Sequence, residues 1–145
     1  MSTRGAVGLG LAGLATSLLI VGLLSGTVTR HVVQIIPAVL ILAALRSGGR
    51  WPLHAALPVC TLWLLLMMMI WVTLAGVANP APGTYSTGER VLTVTIAGSA
   101  ILGGAASIKA GAGVRIVERI AVWALFAILQ VAALWASFAT RLVHD

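Results

Sequence analysis

Acidic residues are almost missing from this sequence, which has three Asp and Glu against nine Lys and Arg in 145 residues. Charged residues of both signs make up only 8% of the chain, whereas a soluble domain carries roughly a quarter. Hydrophobic residues instead reach 60%, and the mean hydropathy is +1.09. A chain with so little charge lacks the polar surface of a water-soluble domain. The composition therefore predicts an integral membrane protein whose main partner is the lipid bilayer.

Groups that carry chemistry are equally scarce. The one cysteine, Cys60, lies in an apolar run, so a single chain forms neither a disulfide nor a multi-cysteine metal site. His31 and His54 are expected at opposite membrane faces, with His144 on the side of His31. We find no Ser/His/Asp arrangement and no phosphate-binding glycine loop. The sequence therefore predicts no cofactor, no metal site and no enzymatic activity.

Carboxylates are missing from the apolar runs as well. Glu89, Glu118 and Asp145 all fall in loops or at ends, whereas proton-coupled transporters typically keep an acid within the membrane. In particular, the chain lacks the glutamate expected in the first helix of small multidrug-resistance exporters, which are of similar size.

The basic residues give a formal net charge of +6. In a soluble protein this excess would indicate nucleic acid as a partner. Here the basic residues are scattered singly between apolar runs, without an aromatic and basic face. They are therefore interpreted as loop charges that set membrane topology, and no nucleic-acid partner is predicted.

Five apolar runs approach the length of about 20 residues that a membrane-spanning helix needs. The sequence predicts an all-α, polytopic integral membrane helix bundle that forms a single domain, with four helices as the alternative. The predicted spans are residues 5–26, 28–45, 53–78, 90–108 and 116–140.

Two of these runs have a second interpretation. The first follows Arg4 and resembles a signal peptide, but it exceeds the roughly 7–15 apolar residues of such a segment and no A-x-A cleavage site follows it. It is therefore expected to stay as a membrane helix. The second run is short and contains Gln34 and Pro37, so a re-entrant hairpin is the alternative to a full span.

The longest loop is predicted after the third run, where prolines and a glycine at 79–83 stop a helix. Ser86 and Glu89 then have the spacing of a capping box, in which each side chain bonds the other residue's backbone amide. The fourth helix is expected to begin there.

Basic loop charges predict the orientation, since cytoplasmic loops carry the excess of Lys and Arg. With five spans, one side holds Arg4, Arg46, Arg50, Lys109, Arg115 and Arg119, and the other holds Arg30, Arg90 and Arg141. The N-terminus is therefore expected in the cytoplasm and the C-terminus on the exported side. The loop around Tyr85 would be exported and the loop around Ala112 cytoplasmic.

Small residues predict where helices pack closely. Ser99, Gly103 and Ser107 recur every four residues on the fourth helix, and Gly22 and Gly26 form a second such face on the first. Small side chains let helix backbones approach each other in lipid. These faces are interpreted as contacts within one chain, with contacts between two copies as the alternative.

The fifth helix carries a stripe of polar and aromatic residues on one face: Arg119, Trp123, Phe126, Gln130, Ala133, Ser137 and Arg141. Gln130 and Ser137 are polar residues at membrane depth, so Gln130 is expected to face protein and not lipid. The favoured interpretation is an interhelical hydrogen bond, and the alternative is a polar lining for a solute path.

The function expected from these features is that of a small non-enzymatic membrane protein, a subunit or assembly partner of a larger membrane complex. The absence of catalytic groups and the helix-packing faces favour this hypothesis. The alternative is a small oligomeric transporter or channel for a polar solute, lined by Gln130 and Ser137. A membrane enzyme acting on lipid is the third hypothesis, and it requires polar groups clustered at one interface. The partners expected are other membrane subunits or further copies of the chain.

Overall fold

The computed structural model describes residues 1–81, 83–110 and 115–139, and these form helices and turns only. The five α-helices are α1 (Thr3–Leu24), α2 (Val28–Ala44), α3 (Trp51–Leu74), α4 (Thr87–Ala110) and α5 (Ile116–Ser137), and a 3-10 turn (Leu45–Ser47) extends α2. All five, α2 together with its turn, are long and apolar enough to cross a membrane. The predicted all-α bundle of five helices is confirmed, and it is the fold of a multi-pass membrane protein. Since α2 runs without a break, the hairpin and the four-helix alternative are wrong.

The helices alternate in direction and close into a ring. α1 packs between α2 and α4, α3 packs between α4 and α5, and α2 packs against α5. We call the end with Met1, the 45–50 turn and the start of α5 the N-terminal end. The other end, which we call the opposite end, holds the turn between α1 and α2, the loop 75–86 and the end of α5.

The capping box at the start of α4 is confirmed. The backbone N–H of Ser86 donates to Glu89 Oε2 at 2.7 Å, and the N–H of Glu89 donates to Ser86 Oγ at 3.3 Å. Two of the free amides at this helix start are thereby satisfied. Glu89 and Glu118 both lie in the first turn of a helix, where the helix dipole favours a negative charge.

The assignment of Gly26 to a packing face was wrong. Gly26 follows the end of α1 with φ of +67°, and a Cβ placed there would meet no atom within 4 Å. The N–H of Thr27 donates to the carbonyl of Gly22 at 2.7 Å. This bond, together with the positive φ of Gly26, is typical of a Schellman motif, in which a glycine ends a helix. Gly22 does lie at a contact, because a Cβ there would be 3.0 Å from the Cβ of His31 on α2.

The third helix ends four residues earlier than the predicted boundary at Ala78, and again a glycine with positive φ ends it. Gly76 has φ of +70°, and the N–H of Val77 donates back to the carbonyl of Val72 at 3.2 Å. This turn stops α3 at Leu74 although the sequence stays apolar beyond it.

The closest approach in the bundle is between α1 and α4. A Cβ on Gly10 would lie 2.5 Å from the backbone nitrogen of Gly103, and a Cβ on Gly13 would lie 2.5 Å from Ser99 Oγ. At Gly10 the near atoms are backbone, so only glycine at this position lets α1 and α4 come so near.

The same face of α4 also contacts α3. A Cβ on Gly103 would lie 3.0 Å from the buried Cys60 Sγ, and Ser107 Oγ donates to the carbonyl of Leu53 at 2.6 Å. Ser99, Gly103 and Ser107 therefore all lie at contacts inside one chain.

Several positions used in the sequence analysis lie outside the described residues. They are Arg141, His144, Asp145, the end of the fifth span at 140 and the loop around Ala112.

Candidate functional site

The polar residues predicted on α5 join it to α2. Gln130 is 0% exposed, and its Nε2 donates to the backbone carbonyl of Gln34 at 3.1 Å. The side chain of Gln34 donates in turn to Ser137 Oγ at 2.9 Å, and Ser137 Oγ donates to the carbonyl of Leu134 at 2.6 Å. Gln130 Oε1 is buried and has no hydrogen-bond partner in the described parts of the chain. These contacts form an interhelical network and place Gln130 against protein.

Four further residues of the predicted α5 stripe lie in the described part of the chain. Phe126 is buried and stacks on Trp51 with ring centroids 5.8 Å apart. The guanidinium of Arg119 lies 5.0 Å from the ring centroid of Trp123. Ala133 is half-buried. The stripe therefore marks the side of α5 that contacts α2 and α3.

A cavity of about 260 Å³, which we call the opposite-end cavity, lies at the opposite end of the ring and draws its wall from all five helices. Its rim is polar and includes Arg30, His31, Gln34, Tyr85, Glu89 and Thr93. Its deeper wall is apolar and includes Leu18, Trp63, Met67 and Ile96. Gln34 thus belongs to both the network and the cavity, whereas Gln130 and Ser137 are not part of its wall.

The basic residues of the rim come from the first turn of α2. The guanidinium of Arg30 lies 4.7 Å from the ring centroid of Phe138, a distance at which a cation is attracted to an aromatic face. His31 Nδ1 lies 3.1 Å from Thr27 Oγ1, which holds the imidazole beside Gly22. Arg30 Nε is buried without a hydrogen-bond partner among the described residues.

The acidic side of the rim is fixed by the start of α4. Ser86 Oγ donates to Glu89 Oε2 at 2.7 Å, so the carboxylate is held in place by its own capping box. The hydroxyl of Tyr85 donates to the carbonyl of Ala81 at 2.9 Å. Burial, together with the negative charge of Glu89, raises the pKa of Tyr85, and its hydroxyl therefore stays a proton donor.

Two tryptophans on α3 differ in how their indole N–H is satisfied. Trp71 Nε1 donates to Thr93 Oγ1 at 2.8 Å, and Thr93 Oγ1 donates to the carbonyl of Arg90 at 2.7 Å. Trp63 Nε1, deeper in the cavity wall, is buried and has no acceptor in the part of the chain that is described. Arg30 and Trp63 thus both line this cavity, and each has a buried N–H without an acceptor among the described residues.

Sequence reasoning did not predict this cavity. One available signal was the spacing of Arg30 and Gln34, four residues apart, which puts a charge and an amide on one face of a membrane helix. The second was Trp63, whose N–H needs an acceptor when it is buried in mid-span. Neither residue indicates which helices surround it.

The described residues contain no group of three His, Cys, Asp or Glu that could hold a metal ion. The opposite-end cavity offers hydrogen-bond donors and charges of both signs at its rim, and apolar surface below. The chain matches no protein-family model, no curated protein and no solved structure.

Proposed function

We propose that this protein is a non-enzymatic membrane protein that binds a small amphipathic molecule in its opposite-end cavity. The observation that carries the proposal is the pair of unsatisfied donors, Arg30 Nε and Trp63 Nε1, in the wall of that cavity. A buried donor without an acceptor costs about 1–3 kcal/mol, and the cost is higher for a charged group. A ligand oxygen that accepts from either donor would offset this cost.

The walls define the class of ligand. Leu18, Met67 and Ile96 offer apolar surface to a hydrocarbon part, while Arg30 attracts a carboxylate, phosphate or carbonyl oxygen. Small-molecule sites usually measure roughly 300–1,000 Å³, so a cavity of 260 Å³ is slightly smaller than this range. It suits a compact ligand, or the head group and first carbons of a longer one.

The geometry supports binding better than passage of a solute. The cavity wall reaches from the opposite end to Trp63, which lies midway along α3. Gln130 and Ser137, which the transporter hypothesis uses as the lining, are outside that wall. Their hydrogen bonds to Gln34 and Leu134 support a packing role instead.

A second candidate function is membership of a larger membrane complex, and the exposure of α5 favours it. A smaller share of α5 is buried than of any other span. Its outer face presents Ile128, Val131 and Trp135, the last of which is 80% exposed. Large aromatic residues are common at interfaces between subunits. Since lipid chains suit the same face, this observation supports the second candidate less than the cavity supports the first.

We also propose that the N-terminal end faces the cytoplasm. Arg4 reaches the carbonyls of Leu45, Gly48 and Gly49, so the N-terminus and the 45–50 turn share one end. Arg50 and Arg119 line a pocket at the same end, which groups the basic residues as the positive-inside rule requires.

Equilibrium binding tests the proposed function, with decanoate as the probe because it joins a carboxylate to a short hydrocarbon chain. Radiolabelled decanoate is titrated into the full chain in phosphatidylcholine nanodiscs, and uptake by protein-free nanodiscs is subtracted. Trp63→Phe keeps an aromatic ring but loses the N–H, so we expect about a tenfold weaker Kd, which corresponds to one hydrogen bond to a charged acceptor. Trp135→Phe is the matched control on the outer face and should bind as the unaltered protein does. Equal effects of the two substitutions would contradict the proposal, as would binding of decanoate no greater than in empty nanodiscs.

A further inference from the structure

A second cavity, which we call the basic pocket, lies at the N-terminal end between α3 and α5. It measures about 340 Å³, and its polar lining consists of Arg50, His54, Arg115, Glu118 and Arg119, beside Trp51. Three arginines thus face one glutamate, and Glu118 forms an ion pair with Arg115. The pocket therefore keeps an excess of positive charge, which favours an anion.

The N-termini of two helices add to the positive electrostatic potential of the basic pocket. α3 begins at Trp51 and α5 at Ile116, and both N-termini lie at this end because the two helices run in the same direction. The first turn of a helix has free N–H groups and a partial positive charge that attract anions.

His54 provides an independent indication of a ligand. The residue is only 2% exposed, and it lines the basic pocket. Its Nε2 is buried and has no hydrogen-bond partner among residues 1–81, 83–110 and 115–139. In the tautomer with the hydrogen on Nε2, this nitrogen is a buried donor without an acceptor, and a bound phosphate oxygen would remove its desolvation cost.

A separate apolar groove lies farther along the same two helices. It measures about 470 Å³ and is lined by Leu57, Thr61, Leu65, Ile120, Trp123 and Ala124, among others. His54 shares one face of α3 with the groove residues Leu57, Thr61 and Leu65, since these positions are three or four residues apart. The two spaces are neighbours, because Arg119 lines the pocket and its guanidinium lies over the ring of Trp123, which lines the groove.

From this neighbouring arrangement we infer that the α3–α5 side of the protein binds an anionic phospholipid from the leaflet at the N-terminal end. The phosphate occupies the basic pocket near His54 and Arg50, and one acyl chain follows the groove past Leu57 and Ala124. A charged pocket with an apolar groove beside it matches a molecule with a phosphate at one end and a hydrocarbon chain at the other. Basic pockets between membrane helices bind such head groups. The inference is independent of the opposite-end cavity and of its ligand.

Native mass spectrometry of the full chain in detergent tests this site. The probes are phosphatidylglycerol and phosphatidylcholine with identical acyl chains, and we expect phosphatidylglycerol to bind more tightly. Arg50→Gln should weaken phosphatidylglycerol about fivefold, the effect of one basic residue near a lipid surface, and leave phosphatidylcholine unchanged. Arg46→Gln is the matched control, since it removes the same charge at the same end but lies outside the basic pocket.

A second pair of variants tests the groove without changing charge. Ala124→Phe should obstruct the acyl chain and weaken phosphatidylglycerol at least fivefold, whereas Ala132→Phe on an exposed part of α5 should not. Thermal unfolding of each variant shows whether its fold is intact. In a third arm, inorganic phosphate is added as a competitor, and at equal concentration it should displace little phosphatidylglycerol because it lacks the chain.

Three results would overturn the inference. The first is equal binding of the two lipids, and the second is an equal effect of Arg46→Gln and Arg50→Gln. The third is phosphatidylglycerol binding that Ala124→Phe leaves unchanged and inorganic phosphate removes, which would assign the pocket to a free anion.

Discussion

The side-chain nitrogen of Gln130 lies 3.1 Å from the backbone carbonyl oxygen of Gln34, and this hydrogen bond closes the ring of helices between α5 and α2. Pro37 follows Gln34 by three residues and lacks an N–H, so the hydrogen-bond ladder of α2 is interrupted at this point. The side-chain amide of Gln130 on α5 therefore bonds the backbone of α2 close to the turn that Pro37 interrupts. This hydrogen bond fixes α5 against α2, the helix that carries the rim residues Arg30 and Gln34.

Replacing Gln130 with Leu should have a modest effect on stability. The substitution loses a hydrogen bond, typically about 0.6 kcal/mol and at most about 2 kcal/mol between membrane helices, but it also removes the unsatisfied Oε1. We expect destabilisation of no more than about 2 kcal/mol, measured by denaturant unfolding in detergent. Decanoate binding should be unchanged, because Gln130 is not in the cavity wall.

Gln130→Glu serves as the companion variant. It keeps the shape of the side chain but buries an acid, which either faces the Gln34 carbonyl as a carboxylate without a donor or must take up a proton at neutral pH to donate to it. It should therefore destabilise the protein clearly more than Gln130→Leu does. The reverse order would mean that the hydrogen bond to Gln34 does not hold these helices together.

Gly10→Ala should disrupt the packing of α1 on α4. The added Cβ would lie 2.5 Å from the backbone nitrogen of Gly103 and 2.8 Å from the carbonyl oxygen of Ser99, and a backbone cannot yield as a flexible side chain does. Overpacking of this kind costs about 1–3 kcal/mol. Gly98→Ala on α4 is the control, because a Cβ there meets no atom within 4 Å. Thermal unfolding should show a loss only for Gly10→Ala, and equal stability of the two variants would place the α1–α4 contact elsewhere.

The orientation can be tested with single cysteines in a Cys60→Ala background. Thr84→Cys lies in the loop at the opposite end, and Ser47→Cys lies in the turn at the N-terminal end. An impermeant thiol reagent added to intact cells should label Thr84→Cys and leave Ser47→Cys unlabelled until the membrane is permeabilised. The reverse pattern would invert the proposed orientation, and labelling of both from one side would contradict five spans.

The sequence predicted the features that depend on one helix at a time. Run length defined the five spans, and the spacing of Ser86 and Glu89 identified the start of α4. The helical period also put Gln130 and Phe126 on the buried face of α5. Each of these follows from local geometry, because a helix places residues three and four apart on one side.

Features that depend on partners between helices were not predicted. Gln130 was expected to bond another helix, but nothing in its own segment identified the Gln34 carbonyl as the acceptor. Glycine spacing alone did not distinguish Gly10, which packs against Gly103, from Gly26, which ends a helix with positive φ. The opposite-end cavity was missed for the same reason, since Arg30 and Trp63 meet only after the ring closes.

Water access to two adjacent methionines on α3 tests the proposed binding cavity most directly. Met67 lines the opposite-end cavity and is 4% exposed, whereas Met68 points away from the bundle and is 60% exposed. The two methionines are replaced one at a time by cysteine in a Cys60→Ala background, and a charged methanethiosulfonate reagent is added at the opposite end. It should modify Met67→Cys, because we expect water to enter the cavity from this end. Decanoate should slow that reaction. Met68→Cys should react far more slowly, because its side chain faces lipid. Faster modification of Met68→Cys, or a Met67→Cys rate that decanoate does not change, would contradict a ligand cavity at this end of the bundle.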